Sequence, residues 1–200
     1  VHSNVDGVDV IITAFGEVYR VKDGVMLARD LGPVWHLSPV VAGNTVYLVG
    51  AACGRAMGIG FRRGQERPGT ARAIRMSFHG GVFSHELLWE TDVEGEDYYG
   101  SPVVYDGILY VISSKGVLTT MDTTSGAIIY RKELNARGAF YGSLAVAGGR
   151  LYATDQEGVS RVLELGESGT LIQENDLRHS MWSSAFFHGE RIYFRGFETL

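Results

Sequence analysis

The chain has 200 residues, of which 45% are hydrophobic and 20% charged, a composition that excludes a disordered segment and indicates a folded domain. A net charge of −5 without a Lys- or Arg-rich stripe argues against nucleic-acid binding. No apolar run reaches the length of a membrane span, and Cys53 is the single cysteine, so no internal disulfide forms. The 27 glycines and 4 prolines lie between short apolar runs, which predicts an all-β protein with many tight turns.

The first predicted element is an incomplete copy of a unit that recurs along the chain. In the segment GVDVIITAFG, Gly7 and Gly16 flank an apolar strand at the same offsets as Gly107 and Gly116 flank a later one. We therefore expect a partial N-terminal blade over residues 1–32, which begins in the second strand of its sheet.

Four further copies follow in chain order. Each has an aromatic or small polar opening, an apolar strand, a turn with Gly or Asn, and a second strand centred on tyrosine. The copies are HLSPVVAGNTVYLV from His36, YGSPVVYDGILYVI from Tyr99, YGSLAVAGGRLYAT from Tyr141 and WSSAFFHGERIYFR from Trp182. Their central tyrosines are 63, 42 and 41 residues apart, so two of the three steps fit a unit of about forty residues.

The longer first step is explained by an insertion of about 21 residues, Gly50 to Thr70. We predict that this insertion connects the second and third strands of its blade. It contains four arginines and a single glutamate, and long loops in compact domains are often functional. Arg62 and Arg63 are therefore candidate binding residues for an acidic ligand, because arginine favours carboxylate and phosphate partners. The alternative is a solvated surface loop.

Each copy continues into a second hairpin, clearest in GVLTTMDTTSGAIIYRKEL from Gly116 and GVSRVLELGESGTLIQENDL from Gly158. Its turn reads D-x-x-S-G or E-S-G, in which Asp and Ser accept local hydrogen bonds and Gly takes a positive φ. We expect this turn to be exposed. Four strands per unit predict a β-propeller of four-stranded antiparallel blades. The alternative, a β-sandwich, predicts neither a fixed period nor a repeated turn.

The repeat predicts a single incomplete propeller domain over residues 1–200. Its predicted blade pieces are 1–32, 33–93, 94–134, 135–177 and 178–200. This length corresponds to about 4.3 blades, so we expect the rest of a seven- or eight-bladed ring to lie outside this sequence. An irregular four-bladed ring is the alternative.

The repeat resembles that of the PQQ-like propellers, which include quinoprotein alcohol dehydrogenases and a lipoprotein of outer-membrane protein assembly. The matching signature, S-P-V-V-x-x-G-x-x-Y-V followed by M-D-x-x-S-G-x-x-x-Y, runs from Ser101 to Tyr130. The resemblance implies a location outside the cytoplasm, periplasmic or secreted. It also implies a fourth-strand tryptophan that docks between blades, with weaker contacts where it is missing. The equivalent positions here are Ala28, Trp89, Tyr130 and Gln173.

Two functions follow from this resemblance. The first is a non-catalytic scaffold that binds a protein, peptide or other ligand through the face around the central channel. The second is a dehydrogenase of alcohols or sugars, dependent on PQQ and calcium, with its cofactor site in blades outside this sequence. The resemblance implies paired cysteines and acidic calcium ligands for such an enzyme, whereas Cys53 stands alone. We therefore favour the scaffold and predict no catalytic residue, no metal site and no cofactor in this segment.

The candidate binding residues open the repeat copies. His36, Tyr99, Tyr141 and Trp182 precede the innermost strands, and loops at that position commonly share a face with the connections between second and third strands. Aromatic rings on such a face can hold a ring-shaped ligand or a peptide. The alternative is that these residues only pack adjacent blades, as repeats often require.

Overall fold

A computed structural model describes residues 1–29, 31–32, 37–50, 69–94 and 97–197. All regular structure in these ranges is β-strand, arranged as four four-stranded antiparallel sheets and one two-stranded hairpin. Strand order within every sheet follows chain order, because each strand pairs with its neighbour in sequence through a short connection. The predicted all-β fold with four-stranded antiparallel blades is confirmed.

The first of two compact units comprises Val1–Asp97 and Thr124–Gly126. Its first sheet contains β1 (His2–Val5), β2 (Val8–Ile12), β3 (Val18–Arg20) and β4 (Met26–Ala28). Its second sheet contains β5 (Val40–Ala42), β6 (Thr45–Gly50), β7 (Gly69–His79) and β8 (Val82–Val93). The predicted insertion thus joins the second and third strands of this sheet, although residues 51–68 lie outside the described residues.

The first sheet has four strands, so the prediction that the chain begins in a second strand was wrong. β1 pairs with β2 across a turn at Asp6 and Gly7, whose φ angles of 48° and 85° are both positive. Such turns match the right-handed twist of the two strands they join. The segment HSNV was missed because it lacks an apolar run, with only Ser3 and Val5 buried. The described residues therefore hold slightly more than the 4.3 blades expected.

The second unit comprises Tyr98–Thr123 and Ala127–Leu200. One sheet contains β9 (Val103–Tyr105), β10 (Ile108–Ile112), β11 (Val117–Asp122) and β12 (Ile128–Glu133). The next contains β13 (Ala145–Ala147), β14 (Arg150–Thr154), β15 (Val159–Glu164) and β16 (Leu171–Asp176), and the hairpin is β17 (Phe186–His188) with β18 (Arg191–Tyr193). The core of this unit is formed by Tyr110, Ile112, Leu118, Leu134, Phe140, Leu144, Leu151, Ala153 and Leu163.

A β-bulge recurs between the third and fourth strands of every four-stranded sheet. The register shifts lie at Val18/Tyr19, Ala73/Ile74, Thr120/Met121 and Val162/Leu163. A bulge bends the strand and increases its twist, which makes the outer edge a poorer template for pairing with another chain. Each sheet therefore carries the same local protection at its outermost strand.

In the first unit, the predicted docking residue Trp89 covers the turn that joins β11 to β12. Gly126 of this turn has a φ of 72°, and a Cβ there would lie 2.5 Å from Cδ2 of Trp89. The Thr91 hydroxyl donates a hydrogen bond to the Gly126 carbonyl oxygen at 2.8 Å. Only glycine fits this position, because both the backbone angle and the available space exclude a side chain. Thr124 and Ser125 are exposed, as expected for this turn, whereas Gly126 is buried, contrary to that expectation.

Tyr130 makes the equivalent contact in the second unit. A Cβ on Gly169, whose φ is 53°, would lie 2.6 Å from Cζ of Tyr130, and Lys132 Nζ donates to the Gly169 carbonyl oxygen at 2.8 Å. The Tyr110 hydroxyl accepts the Gly166 N–H of the same turn at 2.8 Å. Burial raises the pKa of Tyr130 to about 12. Docking by a fourth-strand aromatic residue thus occurs twice, each time over a turn glycine.

Ala28 occupies the docking position of the first sheet, and a polar contact joins the two sheets of the first unit instead. β7 and β8 continue to pair past Thr45, the first residue of β6, which places their turn further out. The Asp6 carboxylate accepts the Phe78 N–H at 2.9 Å and the Asn44 side-chain amide at 2.7 Å. The hydrogen bond from Phe78, followed by that from Asn44, holds the pKa of Asp6 below its usual value. The long β7–β8 hairpin therefore joins the two sheets through the hydrogen bond from Phe78 to Asp6, where neighbouring sheets elsewhere are joined by an aromatic residue.

Candidate functional site

Three of the predicted binding residues come together as stacked rings in the second unit. The ring centroids of Tyr99 and Tyr141 are 4.8 Å apart with planes inclined by 17°, and those of Tyr141 and Trp182 are 4.6 Å apart at 29°. Phe197 meets Trp182 edge-on, at 5.2 Å and 76°. Both arrangements are favourable for aromatic pairs. We call Tyr99, Tyr141, Trp182 and Phe197 the aromatic stair.

Three predicted binding residues lie outside the described part of the chain, and one member of the aromatic stair was not predicted. His36, Arg62 and Arg63 lie outside the described residues, so their role in binding stays a prediction. Phe197 was missed because it follows β18 at the repeat position that Ser114 occupies after β10, where the pattern gives no reason to expect an aromatic residue. Its proximity to Trp182 depends on the folded loop and not on a motif.

Glycines set the spacing between Tyr99, Tyr141 and Trp182 in the aromatic stair. A Cβ on Gly142 would lie 2.6 Å from the carbonyl oxygen of Ser183, and a Cβ on Gly100 would overlap the carbonyl oxygen of Gly142. Real side chains do not approach a backbone oxygen so closely, so these two residues must lack one. The Y-G-S motif of the repeat therefore allows one backbone to lie against the next, which holds the preceding aromatic rings at stacking distance.

Serines at equivalent places in successive copies form a ladder of hydrogen bonds from one repeat to the next. The Ser101 N–H donates to Ser143 Oγ at 3.0 Å, and the Ser143 N–H donates to Ser184 Oγ at 2.9 Å. The partners are 42 and 41 residues apart, which is the repeat length. Because each serine occupies the same place in its copy, the ladder keeps successive rings in register.

The turns between second and third strands lie against the loops that lead into the innermost strands. The Phe140 N–H donates to the Ser114 carbonyl oxygen at 3.0 Å, and the Phe197 N–H donates to that of Ser180 at 3.3 Å. Gln156 bonds in both directions, since its N–H donates to Ala139 at 2.8 Å and its carbonyl oxygen accepts the Met181 N–H at 2.9 Å. In the second unit the aromatic stair is therefore bordered by these turns.

A buried ion pair supports the loop that carries Tyr141. Asp155 and Arg161 are 0% and 1% exposed, and Arg161 Nη1 donates to Asp155 Oδ2 at 3.0 Å. Arg161 Nη2 donates to the Asn135 carbonyl oxygen at 2.8 Å, while Asp155 Oδ2 accepts the Arg137 N–H at 3.0 Å. Two buried charges thus hold the backbone segment that leads from β12 toward the aromatic stair.

Sequence reasoning missed this pair because a charged residue in or beside a strand is usually exposed. The sheet formed by β9 to β12, the third along the chain, has Ser113 and Thr119 at the equivalent positions. Ser113 Oγ accepts the Val117 N–H at 3.1 Å. Asp155 keeps the same bond, to the Val159 N–H at 3.0 Å, and has a second oxygen for the incoming segment. The only available signal was the departure from the repeat, which cannot by itself show that both charges are buried together.

An open pocket of about 290 Å³ lies beside Trp182 and Phe197 of the aromatic stair. It is lined by Trp182, Ser183, Arg195, Gly196 and Phe197. Trp182 and Phe197 are 53% and 65% exposed. Ser183 Oγ donates to the Arg195 carbonyl oxygen at 2.8 Å and accepts its N–H at 3.3 Å, which joins two walls of the pocket.

The part of the chain that the structure describes has no group of three or more His, Cys, Asp or Glu residues that could hold a metal ion. Cys53 lies outside the described ranges. The same ranges contain no helix long and apolar enough to cross a membrane.

These sheets and their repeat define a β-propeller of PQQ-like repeats. The fold is similar to the computationally designed protein Ika8, with a TM-score of 0.66 and 15% identity over 96% of this chain and 53% of that chain. It is also similar to BamB from Moraxella catarrhalis, with a TM-score of 0.53 and 17% identity over 98% of this chain and 68% of that chain. Likenesses at such low identity concern the fold alone.

Sequence comparison identifies the family. The family profile described as outer membrane protein assembly factor BamB matches residues 81–195, and the chain belongs to this family. The predicted membership of the PQQ-like propellers is thereby confirmed.

Relatives of the same description were found in several bacteria. The protein from Salmonella typhimurium is 35% identical over 150 residues, which cover 65% of this chain and 37% of that protein. The one from Escherichia coli (strain K12) is 32% identical over 92 residues, covering 46% of this chain and 22% of that protein. The chain thus spans 37% or less of the length of the curated relatives it matches.

Proposed function

We propose that this chain is part of a scaffold that acts outside the cytoplasm and binds protein partners during the assembly of outer-membrane proteins. The observation that carries this proposal is membership of the family described as outer membrane protein assembly factor BamB. The scaffold uses binding surfaces and not catalysis, in agreement with the function favoured from the repeat.

The aromatic stair is the surface that we assign to partner binding. The stacked rings of Tyr99, Tyr141 and Trp182 are of the kind enriched at protein interfaces, where aromatic side chains contribute much of the binding energy. The Gly142 contact and the Ser143 ladder fix the rings before a partner arrives. A surface ordered in advance loses less conformational entropy on binding, which favours affinity.

Site-specific photo-crosslinking tests the proposal. With benzoylphenylalanine in place of Trp182, we expect covalent adducts with a protein of the outer-membrane assembly machinery in cells that express the full natural chain. Glu167 is the matched control, because it is exposed in the turn between β15 and β16, at the opposite end of the sheet from the turns that border the aromatic stair. Adducts of equal yield at both positions, or none at Trp182, would contradict the proposal.

We also propose that this segment binds neither PQQ nor calcium, because its described residues lack the clustered acidic ligands that a calcium ion requires. Adding PQQ and calcium to the protein should leave the absorbance spectrum of the cofactor unchanged and should not raise the melting temperature. Stoichiometric binding that is lost when Tyr141 and Trp182 are replaced would support the dehydrogenase instead.

A further inference from the structure

Residues 135–141 lead from β12 to the second ring of the aromatic stair, and we call them the connector. Arg161 Nη2 donates to the Asn135 carbonyl oxygen at 2.8 Å, and the Arg137 N–H donates to Asp155 Oδ2 at 3.0 Å. These contacts come from the two members of one buried ion pair, which lies in the blade that the connector enters. The start of the connector is therefore fixed by charges that solvent does not reach.

Arg161 also contacts the other end of the connector. Its Cζ lies 5.8 Å from the centroid of the Phe140 ring, a distance at which a guanidinium is attracted to the face of an aromatic ring. A Cβ on Gly116 would lie 2.8 Å from Cε2 of Phe140, so the ring is also packed closely against the turn between β10 and β11. Phe140 is 1% exposed and directly precedes Tyr141. The position of its ring therefore determines where the backbone of Tyr141 begins.

The branched shape of the guanidinium allows Arg161 to make these contacts together. Nη1 donates to Asp155 Oδ2 at 3.0 Å and to the Val159 carbonyl oxygen at 3.2 Å, while Nη2 donates to Asn135. A lysine ammonium carries its donors on a single nitrogen, so it can pair with Asp155 but has no second nitrogen for the connector. The balance of buried charge and the attachment of the connector can therefore be separated at this residue.

Arg72 has the same position in the second sheet, within the first compact unit. Arg72 and Arg161 each lie opposite the residue that follows the central tyrosine, and each pairs with a glutamate on the fourth strand. A Cβ on Gly32 would lie 2.8 Å from Nη1 of Arg72. Gly32 and Asn135 are equivalent, because each follows a leucine whose N–H donates to the carbonyl oxygen of a turn glycine, Leu31 to Gly16 and Leu134 to Gly116. An arginine against the segment that enters its sheet therefore recurs in both units.

We propose that Arg161 is a positioning residue for partner binding by the aromatic stair. Its side chain is 1% exposed, so it cannot contact a partner, and it acts through the connector on the ring of Tyr141. Tyr141 is the middle ring of the stack, 4.8 Å from Tyr99 and 4.6 Å from Trp182, so a displaced connector disturbs both stacking contacts. A partner then meets rings that must first be ordered, which lowers its affinity. This inference rests on the proposed function, because it names the residue that orders the surface assigned to the partner.

Arg161→Lys tests the inference, because it keeps the charge beside Asp155 and loses the donor to Asn135. The first measurement is the fluorine NMR spectrum of the protein with fluorotyrosine at Tyr141, whose resonance is displaced by ring currents from the two neighbouring rings. In Arg161→Lys we expect this resonance to broaden and to move toward that of free fluorotyrosine. The second measurement is photo-crosslinking in the full natural chain with benzoylphenylalanine in place of Trp182, where we expect the yield of partner adducts to fall about fivefold.

Met121→Val is the matched control, since it shortens a fully buried side chain of β11 that does not belong to the core around Phe140. It should lower the melting temperature and leave both measurements unchanged. The Asp155→Ser, Arg161→Thr double variant provides a second test, because it removes both side-chain bonds to the connector without leaving a buried charge. It should give the same two changes as Arg161→Lys.

The possible outcomes separate this inference from the proposed function. An unchanged Tyr141 resonance in Arg161→Lys, an unchanged yield of adducts, or equal changes in Met121→Val would overturn the inference and leave the proposed function standing. If benzoylphenylalanine at Trp182 gives no partner adducts while Arg161 is retained, the proposed function fails and the inference fails with it.

Discussion

Replacing Trp89 with alanine is expected to lower the free energy of unfolding by about 3–5 kcal/mol. The ring of Trp89 is 8% exposed, covers Gly126 and lies 6.0 Å from the ring of Tyr47, so its removal opens a cavity that the surrounding strands cannot fill. Urea unfolding followed by circular dichroism measures the loss.

Trp182→Ala provides the matched control, because it removes the same side chain from a site that is 53% exposed. Among the described residues, one ring stack and one edge contact are lost there, so the expected cost is about 1 kcal/mol. Equal losses for the two variants would mean that docking over the turn glycine contributes little to the stability of the propeller.

Asp155→Ala is expected to destabilise the protein by about 3–5 kcal/mol, since it removes the buried carboxylate that pairs with Arg161 and leaves that guanidinium with only the partly exposed Glu174, at 3.3 Å. It also removes the acceptor of the Val159 and Arg137 N–H groups, which hold the turn and the incoming segment. Urea unfolding again measures the change. Asp176→Ala is the control, because its ion pair with Arg137 is about half exposed and should contribute far less to stability.

A double variant of Asp155 and Arg161 separates the effect of the buried charges from the effect of the local backbone contacts. Replacing Asp155 with Ser and Arg161 with Thr introduces the residues that the third sheet uses at these positions, Ser113 and Thr119, both of which are fully buried there. The double variant should be more stable than Asp155→Ala, because no uncompensated charge is left inside. A double variant less stable than the single one would show that the arginine has a structural role that Asp155 does not share.

Much of the local structure could be predicted from the sequence. The predicted hairpins around Tyr110 and around the turn at Ser125 and Gly126 are the pairs β9–β10 and β11–β12. These elements are local, since each strand pairs with a chain neighbour and each turn is specified by Gly, Asp or Asn. The sequence also predicted that Tyr99, Tyr141 and Trp182 occupy equivalent places, because they recur at the repeat length.

Contacts between repeats could not be predicted in the same way. Burial of Gly126 beneath Trp89, the position of Phe197 against Trp182 and the buried charge of Arg161 join residues from different copies or loops. A repeat pattern shows which residues are equivalent but not which of them touch. β1 was missed for a related reason, since two buried residues in four carry too little apolar signal without the partner strand.

The amino-acid sequence alone therefore determined the repeat of this protein, a four-stranded antiparallel sheet with glycine turns. That repeat depends on the alternation of apolar and polar residues, on the residues of the turns and on pairing between strands that are neighbours in sequence. The tertiary structure decided how successive repeats meet, with aromatic rings over the turn glycines, serines joined across the repeat length and an ion pair buried against the segment that leads to Tyr141. The serine contacts require backbones from residues about forty positions apart to lie against each other. Their geometry follows from the free energy of the assembled sheets and not from any single segment.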